Sequence, residues 1–142
     1  MRFHIILTGL ATVFLASIAS ADGVPINPGL WEMTSTMTIS MMPQPTTNTV
    51  KECIENNELS PEDFNMEEDN PCNIKDVTVD GNTARWSINC PTEGGPVMEG
   101  QWEITSNGDT INGSGNMSAE FSGQAMSFAM TWEGQRIGDC DG

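Results

Sequence analysis

An all-β fold is predicted, an antiparallel sandwich or partly open barrel of about seven strands with one short helix, on three observations. Several segments alternate apolar and polar residues with period two, turn-forming residues recur about every 8 to 12 positions, and one stretch alone breaks that rhythm. An apolar inner face against a polar outer one is what a half-solvated antiparallel sheet requires.

The chain opens on Met1, Arg2, Phe3 and His4, followed by a mostly apolar run over residues 5–18 and then Ala19-Ser20-Ala21 before the acidic Asp22. One positive charge, an apolar run too short for a membrane anchor and a small-x-small site predict a secretory signal cleaved after Ala21. The expected organisation is a signal at 1–21 and a single all-β domain at 22–142 of an exported chain.

In residues 30–41 the positions Trp31, Met33, Met37, Ile39 and Met41 alternate with Glu32, Thr34, Thr36, Thr38 and Ser40, so a strand is predicted with the methionines inward. Pro43-Gln44-Pro45 ends it. Residues 54–71 lack the alternation, and Ser60-Pro61-Glu62-Asp63 offers an N-cap, a proline at N1 and acids in the first turn of a short helix. Residues 72–79 and 83–90 flank Asp80-Gly81-Asn82, which predicts a hairpin with a three-residue loop. Further alternating strands follow over 98–105, 111–121 and 125–132, separated by turns at Glu93-Gly94-Gly95-Pro96, Asn107-Gly108-Asp109 and Ser122-Gly123.

Four cysteines in an exported chain are expected to pair rather than to bind zinc. With a three-residue loop, the hairpin register sets Cys72 opposite Cys90, Ile74 opposite Ile88 and Asp76 opposite Trp86, which puts the isoleucine pair on the cysteine face. Cys72 is therefore assigned to Cys90 and, by remainder, Cys53 to Cys140.

Loss of residues 1–21 would leave four basic residues against twenty acidic ones, a net charge of −16. Such a surface repels phosphate backbones, which argues against nucleic acid and against anionic membrane surfaces as partners. The cleaved segment also carries His4, the only histidine, so catalysis and metal binding through imidazole are excluded in the processed chain.

Pro28-Gly29-Leu30-Trp31-Glu32-Met33 opens the first strand, Gly81-Asn82 leads into a strand holding Trp86 and Cys90, and Arg136-Ile137-Gly138-Asp139-Cys140 closes the chain. In these landmarks, over the whole processed length, the sequence resembles the "domain of unknown function 3617" family of small exported proteins of Gram-negative bacteria. The resemblance implies a periplasmic location. It supplies no catalytic residue and no ligand.

Nine methionines would remain after processing. Met33, Met37, Met41, Met98, Met117, Met126 and Met130 fall on inward faces and are read as adaptable core filler, with Met41 and Met42 the best candidates for copper binding through thioethers. Gly100, Gly113, Gly115 and Ala119 opposite them leave either a cavity for an apolar ligand or room for a bent sheet to close. Trp31, Trp86, Trp102 and Trp132 are expected inward. Glu52, Glu55, Glu58, Glu62, Asp63, Glu67, Glu68 and Asp69 lack the order of a calcium loop and read as a solvated surface. Asn112 and Asn116, both in N-x-S sequences, are expected outward, and Arg136 is expected to pair with an acid near Cys140.

The expected function is a non-enzymatic binding or accessory module of the envelope, without a cofactor, holding a small apolar ligand or a protein partner. Copper handling by methionine is one alternative, and hydrolysis by a carboxylate pair is the other.

Overall fold

The computed structural model describes residues 22–64 and 72–141. The signal expected at 1–21 and the acids Glu67, Glu68 and Asp69 lie outside them.

Among the described residues nine strands follow in chain order: β1 (Val24–Pro25), β2 (Gly29–Ile39), β3 (Thr46–Ile54), β4 (Glu58–Leu59), β5 (Asn73–Asp80), β6 (Thr83–Cys90), β7 (Met98–Ser106), β8 (Thr110–Phe121) and β9 (Gln124–Gly138). Seven form one antiparallel sheet in the order β3-β2-β9-β8-β7-β6-β5, while β1 and β4 pair as a separate ribbon. Of the two expected architectures the open one is found, since β3 and β5 remain edges and, among the described residues, a two-stranded ribbon and one 3-10 turn face the sheet.

β9 lies between β2 and β8, so the meander β5 to β9 is joined through it to the β2–β3 hairpin. The β8–β9 hairpin turns on Ser122-Gly123, both with positive φ (50° and 80°), the twist a tight two-residue turn requires.

At the β5–β6 hairpin the structure corrects the expected loop. Asp80 pairs with Thr83, so the turn holds two residues, Gly81 and Asn82, with Gly81 at φ +61°. Ile74 does oppose Ile88, but the register shifts between Lys75 and Thr78, and Asp76 adopts φ 53°. Asp76 and Val77 together stand across from Trp86 as a bulge. One extra residue there moves the pairing by one, which is why a loop counted from the cysteine end comes out one residue too long.

The expected short helix is a single 3-10 turn, Pro61–Phe64. It is fastened where the sequence places a cap: the Ser60 backbone N–H and hydroxyl both donate to Asp63 Oδ2, at 2.7 and 3.1 Å.

Along the strands the inner face is apolar. Its buried cluster is Val24, Ile26, Trp31, Leu59, Ala84, Trp86, Ile104 and Ile111. The outer face carries hydroxyl pairs such as Thr34–Thr49 and exposed ion pairs such as Arg85–Glu103, which at this exposure contribute little to stability.

Candidate functional site

The inner face divides into a covered end and an open half. At the covered end the segment before β2 lies across the sheet. Val24 and Ile26 are buried, the Ile26 N–H donates to Asn57 O at 3.0 Å, and the Ser106 hydroxyl donates to Pro25 O. Trp31, fully buried, donates from Nε1 to Asn27 O at 3.0 Å. Leu59 of β4 and Phe64 of the 3-10 turn complete the cover, with Phe64 against both Trp86 and Trp132 at ring-centroid distances of 5.6 and 5.8 Å.

Beyond Phe64 no described residue covers the sheet. The pairings fix what stands there: Trp86 opposes Trp102, Trp102 opposes Gly115, Gly115 opposes Met130, and Met130 opposes Met37. In the next row Gly100 opposes Met117 and Met117 opposes Phe128. Met37 on β2 and Trp102 on β7 lie three strand spacings apart, about 14 Å on a flat sheet. They nevertheless line one hollow, so the sheet curls toward its inner face.

The glycines account for the tryptophans. A Cβ at Gly115 would stand 2.1 Å from the Trp102 ring, and one at Gly113 would stand 2.8 Å from the Trp132 ring. Each indole lies flat in the place that a side chain would fill. The two rings stack on each other at 4.7 Å and 27°. The two glycines are seats for aromatic rings, so they leave no void of their own.

Two hollows remain on either side of this pair. One, of about 210 Å³, is walled by Pro61, Phe64, Ile74, Trp86, Ile88, Trp102, Met130 and Trp132. The other, of about 230 Å³, is walled by Met37, Met98, Met117, Phe128, Met130 and Trp102 with the backbone at Gly115 and Asn116. Sharing Trp102 and Met130, they form one trough. No charged residue is among its described walls, which are predominantly apolar. Trp102 Nε1 is the single buried side-chain nitrogen or oxygen without a hydrogen-bond partner among the described residues.

The methionines correct the core reading. All seven were expected as core filler, yet none is fully buried and only Met33 packs against the buried cluster. Met33, Met98, Met117, Met126 and Met130 are half-buried on the inner face, Met37 is 37% exposed, and Met41 has left the strand for an exposed turn at 66%. Alternation names the face a residue takes, but it does not reveal whether anything lies over that face. Trp31 and Trp86 are buried as expected, whereas Trp102 and Trp132 are only half-buried.

Cys72 is bonded to Cys90 where β6 ends, and Cys53 on β3 is bonded to Cys140 past β9, with Cα separations of 4.0 and 5.5 Å. Arg136 donates from Nε to Pro28 O at 2.8 Å and pairs with Asp139 through Nη2. Met41 and Met42 sit in the β2–β3 turn away from the four thioethers that share the second hollow. Asn112 and Asn116 are exposed. Among the described residues no three His, Cys, Asp or Glu side chains are grouped to hold a metal ion, and Glu52, Glu55, Glu62 and Asp63 are exposed.

A family model described as "Protein of unknown function (DUF3617)" matches residues 26–140, and the chain belongs to that family. No curated protein and no solved structure matches the chain.

Proposed function

We propose that this member of the DUF3617 family is an exported, non-enzymatic binding module that holds a small apolar ligand in the trough of its inner face. The observation that carries this reading is the half of the sheet that the described residues leave open: indole, thioether and phenyl groups half-exposed among them, in a chain of net charge −15. A soluble chain normally covers a contiguous apolar surface of this kind unless the surface is used. Thioether walls suit the role because unbranched, polarisable side chains adapt to varied apolar shapes. A ligand oxygen brought to the edge of Trp102 would give its Nε1 a partner, relieving a cost of about 1–3 kcal/mol. Two disulfides support an oxidising compartment, reached by cleavage of residues 1–21. An envelope protein offering an apolar side chain to the trough would use the same surface.

A second reading is favoured by the convergence of Met37, Met98, Met117 and Met130 on one hollow, since several thioethers are a soft donor set for Cu(I). Hydrolysis gains no support from the trough, because no carboxylate is among its described walls.

Native mass spectrometry of the protein recovered from the envelope, with titration by the neutral dye N-phenyl-1-naphthylamine, tests the proposal. A co-purified organic mass and a dye site lost in Met130→Glu are expected. A copper mass displaced by Ag⁺ would favour the second reading, and an empty protein that binds no dye would refute the first.

A further inference from the structure

The open end of the trough carries a second feature, the tips of two adjacent hairpins. Ile39 opposes Phe128, Ser40 N–H donates to Ser127 O at 3.0 Å, and Ser127 N–H donates to the Ser40 hydroxyl at 3.1 Å, so the β2–β3 and β8–β9 tips stand side by side. On them Met41, Met42 and Phe121 are exposed by 66%, 54% and 39%, and Val97 at the start of β7 is exposed at the same end. Of the other large apolar residues so exposed among the described ones, Met37 lies in the trough, and Val50, Val77 and Ile137 lie elsewhere.

Charge is sparse on the two tips themselves, although Glu93 in the β6–β7 turn and Glu120 beside Phe121 stand at the same end. Residues 33–50 carry no charged side chain and residues 110–132 carry one, Glu120, in a protein whose net charge is −15. The acids crowd the remainder of the chain.

We propose that these tips dock on an uncharged or zwitterionic lipid bilayer and that the trough's ligand is an acyl chain drawn from it; the second part rests on the trough being an apolar binding site. Charge selects the occupant. A second copy of this chain would add its own net charge of −15 to the assembly, and an anionic bilayer would repel the same excess. A zwitterionic surface does neither, and its hydrocarbon boundary accepts protruding thioether and phenyl groups without ion pairing. Continuity supplies the path. From Met41 the inner face runs through Ile39, Phe128, Met37 and Met130 to Trp102 with no charged side chain between, so an acyl chain leaving the bilayer stays against apolar groups.

Flotation of the disulfide-bonded protein with phosphatidylcholine vesicles tests this, beside vesicles holding roughly one-third phosphatidylglycerol. The protein should float with the first and less with the second. M41E/M42E, in an exposed turn where folding is not at stake, should lower flotation by roughly tenfold or more while dye binding in the trough changes by less than about twofold. F121E should act in the same direction, and V77E, on the far edge strand, should have no effect. Dye binding without flotation on phosphatidylcholine would overturn the docking alone, as would glutamate variants that float like the parent or that act by changing self-association. Loss of both flotation and dye binding in the parent protein would overturn the docking and the trough together.

Discussion

Strand β2 joins two regions that differ in one respect. Trp31, near its start, is wholly buried beneath the segment containing Val24 and Ile26, while Met37, six residues on and on the same face, is 37% exposed. Both positions obey the same alternation, and both point to the inner side of the same sheet. The covered end is built from Val, Ile, Leu and Trp that interlock, the open half from methionines and from indoles seated on glycine. Burial here is set by what crosses the sheet and not by strand pattern, and the sheet extends well beyond its cover.

The difference can be tested through stability. The largest effects belong to the two disulfides, which fasten opposite ends. Cys53–Cys140 closes 87 residues at the covered end and Cys72–Cys90 closes 18 at the open end. In the chain-entropy model the double variant C53S/C140S should lose about 4–5 kcal/mol and C72S/C90S about 3 kcal/mol. Urea unfolding under non-reducing conditions measures both, and the reverse order would show that the open end carries more of the stability than its burial implies.

Next is Trp31→Ala, which empties the covered end and removes the hydrogen bond to Asn27 O. A loss of about 3–5 kcal/mol is expected in the same assay. Gly115→Ala should cost about 1–3 kcal/mol, because its methyl group must displace the Trp102 ring, and near-ultraviolet circular dichroism should report the broken Trp102–Trp132 stack. Smallest is Met37→Ala, at under about 1 kcal/mol, since a half-solvated thioether gives up little burial. Its effect should fall instead on affinity for an apolar dye. A Met37→Ala variant as destabilised as Trp31→Ala would erase the distinction between the two halves.

Much of this was legible in the chain. Alternation in residues 30–41, 98–105, 111–121 and 125–132 marks β2, β7, β8 and β9, and the turn residues fall where the hairpins close. Strand β3 was not legible, because Thr46–Ile54 is an exposed edge whose Thr, Asn, Lys and Glu residues give no two-sided contrast. The bulge at Asp76 left no trace either, since a single aspartate at positive φ is invisible to pairing arithmetic. Nor was the cover, two strands of two residues each that depend on contacts more than 30 residues away in sequence, such as Val24 with Leu59. Without the cover, the trough could not be located: its tryptophans and methionines look like core until it is known which of them lie beyond Phe64.

The central claim is that the open half receives an apolar chain while the covered end stays closed. Quenching of intrinsic fluorescence by a neutral brominated alkyl alcohol tests it most directly, because bromine quenches only nearby indoles. The account predicts saturable quenching that survives in Trp31→Phe and falls in Trp102→Phe/Trp132→Phe to what Trp86, a wall of the same trough, still contributes. Quenching that never saturates, or that persists undiminished without Trp102 and Trp132, would contradict it.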